Sequence, residues 1–210
     1  ARGIKNVAVT AGYIKEAARE EFFSVMDAAN VDLKAFTESF YKNLCTAELA
    51  GVLDTLVYLK HETDVWIELT TLLIPDENDS EPEIEEMTQW VVENLGPDVP
   101  MHFTAFHPDY RMRDKPRTPP ETLFRAWRIA RKNGVRYAYT GNIHDKATGS
   151  TYCHSCGLRL IGRDWHLLDD WGLTQSGLCS RCGEACAGHF EDRFGNWGRK
   201  RQPIRLAELA

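Results

Sequence analysis

The sequence has little of several features that mark particular classes of protein. It contains no run of about 18 apolar residues, so we expect no transmembrane helix. Its opening residues, ARGIKNVAVT, lack the apolar segment and cleavage site of a secretory signal. Its net charge at pH 7 is −6, whereas broad binding to nucleic acid needs clustered positive charge. These absences predict a cytoplasmic globular protein that binds neither membranes nor nucleic acid.

The one strongly basic segment lies near the C-terminus. RFGNWGRKRQPIR, residues 193–205, carries five basic residues. We interpret 193–210 as a solvated basic tail, and a nucleic-acid patch is the alternative. The rest of the 210-residue chain is long enough for one medium domain and a small appendage. We place these at residues 1–147 and 148–192.

Cysteine is scarce in the first two thirds of the chain and frequent after them. Cys153 and Cys156 form one C-x2-C pair, and Cys179 and Cys182 form a second pair after 22 intervening residues. A glycine follows each pair, which allows a tight turn around the thiolates. With no secretory signal, four thiolates at this spacing favour a structural zinc ribbon over disulfides.

Two cysteines fall outside this pattern. Cys45 stands alone after FYKNL, and we expect a buried structural thiol rather than a reactive one. Cys186 follows the second pair in LCSRCGEAC, where it is a spare fifth thiol, because four ligands complete a closed zinc shell. Metal exchange at Cys186 is the alternative.

Residues 1–145 alternate between short β-branched runs and longer helical patterns. We predict strands at 6–10, 31–36, 65–74, 101–106 and 136–141, and helices at 14–29, 46–63, 79–96 and 118–134. Such alternation predicts βαβ units and a parallel sheet, either open and doubly wound or part of a barrel. In both architectures, ligands bind at the carboxyl ends of the strands.

Two of the predicted helices carry capping signals. Ser80 and Glu83 have the spacing of a capping box, and Gly96 stands where a C-terminal cap belongs. Thr118 is predicted as the second N-cap, with Pro119 at the first helical position.

Polar side chains follow the predicted strands. Asp32 and Lys34 flank Leu33 and should therefore share one face of their strand. They suit a zwitterionic or sugar-bearing ligand, or they form a plain ion pair. His107, in AFHPDY, suits proton transfer or hydrogen bonding, or is a loop residue. Asn142, in YTGNIHD, suits a ribose or adenine edge, or forms a turn.

Six segments occur in an order that resembles a known family. They are VTAGYI, NVDLKAF, MHFTAFHPDYRM, TPPETL, YAYTGNIHD and STYCHSCG, and the resemblance runs from about residue 3 to residue 190. The chain resembles radical S-adenosylmethionine (SAM) enzymes of the pyruvate formate-lyase activating enzyme branch, and most closely those of the AmmeMemoRadiSam system. The resemblance implies a partial (βα) barrel with a 4Fe-4S cluster and SAM at its mouth. Reductive cleavage of SAM there gives a 5′-deoxyadenosyl radical for hydrogen abstraction, from a small molecule or from a partner protein.

The resemblance also implies roles for residues at the strand ends. Asp32 and Lys34 would contact the methionyl or ribose part of SAM, with Lys34 donating to the carboxylate. His107 would lie near the same carboxylate or the ribose. Thr10, in VTAGY, would line the site, although the family often has T-N-G where Ala11 stands here. With Asn142, these residues are the predicted cofactor site.

The chain departs from the family in one large respect. The family's cluster is held by C-x3-C-x2-C after the first strand, and its second strand ends in a Gly-Gly-Glu segment; neither occurs here. Cys179, Cys182 and Cys186 have the reverse spacing at the opposite end. We therefore expect a C-terminal fragment that lacks two βα units and cannot bind the catalytic cluster. The alternatives are a non-catalytic zinc-ribbon scaffold or binding module, and a barrel enzyme without radical chemistry that uses His107 as base.

Overall fold

A computed structural model describes residues 3–190, which form two compact units that divide between Ile143 and His144. The predicted basic tail at 193–210 lies outside the described residues. Within the described range, no helix is both long and apolar enough to cross a membrane.

The first unit alternates strands with helices. Its strands are β1 (Val7–Thr10), β2 (Ala28–Asp32), β3 (Trp66–Leu73), β4 (Met101–Ala105) and β5 (Ala138–Gly141). Its helices are α1 (Glu16–Phe23), α2 (Glu38–Phe40) with a π-helix directly after it (Tyr41–Cys45), α3 (Leu49–Glu62), α4 (Glu81–Leu95) and α5 (Pro120–Lys132).

The five strands form one parallel sheet in the order β1-β2-β3-β4-β5. A doubly wound sheet reverses its strand order at a switch point, whereas a (βα) barrel keeps neighbouring strands in chain order. The sheet keeps chain order throughout and does not close among the described strands. The prediction of a partial parallel (βα) barrel is therefore confirmed.

The two faces of this sheet differ in polarity. One face packs on the helices, where Val31, Leu69 and Phe103 are completely buried. We call the other the open face. It carries Val7 and Val9 from β1, Ala28, Asn30 and Asp32 from β2, Trp66, Glu68, Thr70 and Leu72 from β3, His102 and Thr104 from β4, and Tyr139 and Gly141 from β5, all half-buried or exposed. Strands covered on both faces are apolar throughout, so this alternation reflects a single packed face.

The first predicted helix and the second predicted strand have wrong boundaries. The helix predicted over 14–29 ends at Phe23, and β2 begins at Ala28 rather than at residue 31. Alanine favours helices, so the alanines at 28 and 29 look like the end of α1. Pairing of Ala28 with both Val7 and Trp66 overrides that preference.

The predicted cap of α5 is also wrong. Pro119 occupies the N-cap and Pro120 the first helical position. Thr118 instead joins two strand ends, because its hydroxyl accepts the N–H of Phe106 and donates to the carbonyl of Leu73. Its burial and these two bonds attach it to the ends of β3 and β4 rather than to the helix.

The second unit contains a small antiparallel sheet. The short helix α6 (Lys146–Gly149) precedes β6 (Thr151–Tyr152), β7 (Arg159–Asp164) and β8 (Leu167–Trp171), which pair in that order. Two isolated bridges follow, Leu173 with Cys179 and Leu178 with Ala185. The first cysteine pair lies in the turn between β6 and β7, and the second lies in the turn closed by these bridges.

Candidate cofactor site and metal centre

The five residues of the predicted cofactor site lie at one edge of the sheet in the first unit. Thr10 ends β1, Asp32 ends β2 with Lys34 two residues further on, His107 lies two residues beyond β4, and Asn142 directly follows β5. Because the strands are parallel, their carboxyl ends share this edge, which is where ligands bind in such folds. Strand β3 separates the first three residues from the last two.

Asp32 and Lys34 form an ion pair. Lys34 Nζ lies 2.7 Å from Asp32 Oδ2, and the two side chains are about one third exposed, 37% for Lys34 and 34% for Asp32. Leu33 between them is completely buried, as the alternation predicted. An ion pair this exposed adds little stability, and both groups remain within reach of a ligand.

The other three predicted residues have simpler surroundings. The hydroxyl of Thr10 accepts the N–H of Gly12 at 3.1 Å. Asn142 adopts a positive φ of 59°, and its amide donates to the carbonyl of Ala105 at 3.1 Å, which joins the ends of β5 and β4. His107 is exposed. The turn-forming interpretation therefore fits Asn142, while His107 is available to a ligand.

The segment after β2 is held by a network of buried side chains that the sequence did not reveal. We call Tyr41, Thr71, Asn78 and Glu83 the supporting network. Two members bond to Lys34: the Tyr41 hydroxyl accepts its N–H at 3.0 Å, and Asn78 Nδ2 donates to its carbonyl at 2.6 Å. The other two bond to its neighbours. The Thr71 hydroxyl donates to the carbonyl of Leu33 at 2.7 Å, and Glu83 Oε1 accepts the N–H of Phe36 at 2.7 Å. These bonds fix the backbone that carries Asp32 and Lys34.

Asn78 is the most connected member of the supporting network. Besides bonding to Lys34, its Nδ2 donates to the carbonyl of Leu72 at 2.9 Å, and its Oδ1 accepts the N–H of Ile74 at 2.7 Å. It is almost completely buried. In the sequence, IPDENDS has the composition of an ordinary exposed turn, so it does not indicate that Asn78 is buried.

Burial raises the pKa of two network members. It raises the pKa of the Tyr41 phenol to about 12, so this hydroxyl stays protonated. Burial also raises the pKa of Glu83, although the Phe36 N–H opposes the shift. Ser80 caps α4 as predicted, but the predicted reciprocal bond from Glu83 to Ser80 is replaced by the bond to Phe36.

The four cysteines of the second unit form a compact group. All four Sγ atoms lie within 4.8 Å of one another, and the closest contacts, Cys153 to Cys182 and Cys156 to Cys179, are both 3.6 Å. Four sulfurs bound tetrahedrally at 2.3 Å from one metal ion lie about 3.8 Å apart. The group therefore has the spacing of a tetrahedral metal centre.

Each cysteine pair is folded by a glycine turn. Gly157 donates to the carbonyl of Cys153 and Gly183 to that of Cys179, both at 2.9 Å, with φ angles of 72° and 77°. Side chains rarely adopt such angles, which explains the glycine after each pair. Burial opposes ionisation of Cys179, but the N–H groups of Cys182 and Arg181 hold its pKa at about 7.

The two remaining cysteines lie elsewhere. Cys186 is buried and its sulfur does not belong to the four-sulfur group. Cys45 ends the π-helix and is half-buried, and burial raises the pKa of its thiol, while Lys34 has a smaller opposing effect.

No family model matches the chain. The chain is 38% identical over 161 residues to the uncharacterized protein MJ0808 of Methanocaldococcus jannaschii. This match covers 77% of this chain and 47% of that protein. The chain thus spans about half the length of this curated relative.

Two solved structures share the fold. A domain of a pyruvate-formate lyase-activating enzyme from Bacteroides vulgatus aligns with a TM-score of 0.58 at 16% identity, over 67% of this chain and 83% of that one. A radical SAM methyltransferase from Sphaerobacter thermophilus aligns with a TM-score of 0.53 at 17% identity, over 64% of this chain and 39% of that one. At these identities, the likeness establishes the fold.

Proposed function

We propose that this chain is part of a radical SAM enzyme. The observation that carries the proposal is the Asp32–Lys34 pair, held by buried side chains at the carboxyl edge of a sheet with the fold of radical SAM structures. When bound, a reduced 4Fe-4S cluster supplies the electron that cleaves SAM to a 5′-deoxyadenosyl radical for hydrogen abstraction. The cluster would be held by cysteines outside these 210 residues.

The residues at the edge suit the zwitterionic end of SAM. Lys34 can turn from Asp32 to donate to the ligand carboxylate, while Asp32 accepts from the ligand ammonium or a ribose hydroxyl. With the ligand ammonium on Asp32, the exchange replaces one ion pair by two, so neither protein charge is left uncompensated. His107, Thr10 and Asn142 lie along the same edge. His107 would lie near the ligand carboxylate or the ribose, Thr10 would line the site, and Asn142 would contact the ribose or adenine.

We propose further that β1 pairs with additional chain in the active enzyme. Val7 and Val9 project from the open face of β1 with exposed fractions of 62% and 81%. Strand β1 is also an edge of the sheet, with backbone groups on one side that no described strand pairs. The two βα units that we expect to be missing would pair with this edge and cover both valines.

For the four-cysteine group we propose zinc. A closed shell of four thiolates is typical of structural zinc, which needs no redox change and prefers tetrahedral geometry. The ribbon then stabilises the second unit and takes no part in the radical chemistry. Four cysteines grouped as thiol ligands, rather than paired in disulfides, support a cytoplasmic location.

Metal analysis tests the zinc proposal. The chain purified from cells should contain about one zinc ion and no iron. Iron in the four-to-one ratio to protein of a 4Fe-4S cluster would contradict the ribbon assignment and place a cluster on Cys153, Cys156, Cys179 and Cys182.

A cleavage assay tests the fragment proposal. After treatment with iron, sulfide and dithionite, this chain alone should form no 5′-deoxyadenosine from SAM, because it lacks C-x3-C-x2-C. Formation of 5′-deoxyadenosine by these residues alone would contradict it. In the longer protein, an activating-enzyme-like role with a protein substrate is proposed on the resemblance alone, beside a small-molecule substrate.

One observation favours a second candidate, a non-catalytic zinc-ribbon scaffold. Asp32 and Lys34 already compensate each other, which is all that a purely structural pair requires. The scaffold needs no affinity for SAM, so binding of SAM by this edge separates the two candidates.

A further inference from the structure

A long loop follows β4 at the carboxyl edge of the sheet. Residues 106–118 contain no helix or strand, and hydrogen bonds join the two ends of this segment. Thr118 donates its N–H to the carbonyl of Phe106 at 3.2 Å, and its hydroxyl accepts the N–H of Phe106 at 2.9 Å. Surface loops of about 6–16 residues with neighbouring ends are Ω-loops, which frequently carry function. We call this segment, FHPDYRMRDKPRT, the arginine loop.

The arginine loop is also anchored between its ends. Met112 is partly buried against the core of the first unit, and its N–H donates to the carbonyl of Asp109 at 2.9 Å. Lys115 forms an ion pair with Glu77, and the two side chains are only 24% and 26% exposed. These contacts hold the loop on the unit that contains the sheet, so the exposed side chains between them have a defined arrangement.

Tyr110 is the least expected residue of the loop. It is 76% exposed, and its φ of 48° is a left-handed conformation that bulky residues rarely adopt. Neither the exposed ring nor this backbone conformation stabilises the fold. Backbone strain of this kind is frequent at functional sites, and tyrosine is one of the residues most enriched at the energetic centres of protein–protein interfaces.

Arginines lie next to this tyrosine. The guanidinium of Arg111 lies over the Tyr110 ring, 5.2 Å from its centroid. Arg113 lies 3.8 Å from Asp109, but these side chains are 77% and 85% exposed, and a pair this exposed adds little stability. Among the residues that the structure describes, Arg111 and Arg117 form no ion pair. The loop therefore presents arginines that a partner can reach.

The charges around the loop favour a protein partner over a nucleic acid. Asp109 and Asp114 lie within the loop, and Asp76 and Glu77, between β3 and α4, interact with Lys115. A row of phosphates would meet these carboxylates, and the chain has a net charge of −6. A protein surface can place its acidic side chains on the arginines and avoid the carboxylates.

We propose that the arginine loop is a docking surface for a protein partner, whose carboxylate-rich segment contacts Arg111, Arg113 and Arg117 while an apolar side chain packs on Tyr110. This goes beyond the proposed function, because the loop needs neither SAM nor an iron–sulfur cluster to bind. His107 of the predicted cofactor site belongs to the same loop, so the docked partner lies beside that site.

NMR titration of the full 210-residue chain with synthetic peptides tests the proposal. The probe is a short peptide in which glutamates flank a single tryptophan, and the control peptide has glutamine in place of each glutamate. The acidic peptide should shift the backbone amides of Tyr110, Arg111 and Arg113 saturably. The control peptide should bind at least ~10-fold more weakly, because charge-assisted hydrogen bonds are lost. No saturable shift, or equal binding of the two peptides, would overturn the proposal.

A pair of arginine variants tests whether the loop itself is responsible. Arg111→Gln should weaken binding of the acidic peptide at least ~10-fold, the loss expected for one hydrogen bond to a charged group. Arg128→Gln removes an exposed arginine from α5 and should bind like the wild type. An equal loss in both variants would mean that the peptide responds only to the charge of the whole chain, which would overturn the proposal.

Tyr110→Gly separates a binding role from a structural one. Glycine adopts a φ of 48° without strain, and its N–H can keep the 2.7 Å hydrogen bond to Asp109 Oδ1. The urea midpoint should therefore stay close to that of the wild type. Affinity for the acidic peptide should nevertheless fall at least ~5-fold, because the ring that packs on the peptide tryptophan is lost. Unchanged affinity would overturn the proposal.

Two further ligands identify what the loop recognises. Oligothymidylate with the same net charge should bind more weakly than the acidic peptide, and equal or tighter binding would overturn the proposal in favour of a nucleic acid. Calorimetric titration with SAM should give the same result for Arg111→Gln and the wild type. Failure of the docking surface and failure of the proposed function are therefore observed in separate measurements.

Discussion

Single residues at the carboxyl edge combine exposed charge with buried support. Asp32 and Lys34 face solvent, but the backbone beneath them depends on Asn78 and Thr71, which are nearly inaccessible. The Asp-Leu-Lys alternation predicts which side chains point outward. It does not predict the hydrogen bonds that hold this backbone, because Asn78 and Lys34 lie 44 residues apart and only the folded chain brings them together.

Asn78→Ala should destabilise the first unit strongly. The change leaves the carbonyls of Leu72 and Lys34 and the N–H of Ile74 without this partner. Buried polar groups left unpaired cost about 1–3 kcal/mol each, so a loss of about 2–4 kcal/mol in unfolding free energy is expected after partial relaxation. Urea denaturation measures it. Glu93→Ala, at an exposed position of α4, is the control and should change stability by less than about 0.5 kcal/mol.

Glu83→Gln should change how stability depends on pH. Burial raises the pKa of Glu83 above 4.5, so the native state holds this proton more tightly than the unfolded state. The wild type therefore loses stability as pH rises from 4.5 through the raised native pKa. Glutamine does not titrate and keeps an oxygen for the Phe36 N–H.

The unfolding free energy of Glu83→Gln relative to wild type should therefore increase between pH about 4 and pH about 7. Glu93→Gln, at the exposed position, provides the comparison. A relative stability of Glu83→Gln that falls over this range would show that the ionised carboxylate is favoured in the native state.

At the scale of elements, sequence periodicity identifies the long helices and all five parallel strands, with errors at their ends. It misses α2 and the π-helix from Tyr41 to Cys45, which ends at Thr46 in a left-handed conformation. A π-helix has no distinctive residue pattern, and its geometry follows from tertiary contacts. One such contact, from Tyr41 to the Lys34 N–H, supports the candidate site.

The cysteine turns are the elements best defined by sequence, because both ligand type and spacing are visible. Cys156→Ser should lower bound zinc to less than about half of the wild-type content, since serine is a poor ligand for this metal. Cys186→Ser should retain the full content, because its sulfur lies outside the four-sulfur group. Metal analysis of the purified variants measures both.

Cys45→Ser serves as a second control in the first unit and should also retain the zinc. Loss of zinc in Cys186→Ser with retention in Cys156→Ser would mean that the metal is bound by a different set of sulfurs.

At the scale of the whole chain, strand–helix alternation predicts a parallel sheet but leaves open whether it is doubly wound or part of a barrel. The strand order β1 to β5 decides for a partial barrel. The open face could have been anticipated from WIELTTLL, where polar and apolar residues alternate. The pairing of Glu68 with His102 could not, because it requires the register of β3 and β4.

We propose above all that the carboxyl edge of this sheet binds SAM through Lys34. Calorimetric titration of the 210-residue chain with SAM tests it most directly, with Lys34→Gln compared with Lys42→Gln, which removes an exposed lysine elsewhere. We expect saturable binding that Lys34→Gln weakens at least ~10-fold, because a charge-assisted hydrogen bond to the ligand carboxylate is lost. Lys42→Gln should bind like the wild type. Absence of binding, or equal affinity in the wild type and Lys34→Gln, would show that Lys34 does not bind SAM at this edge.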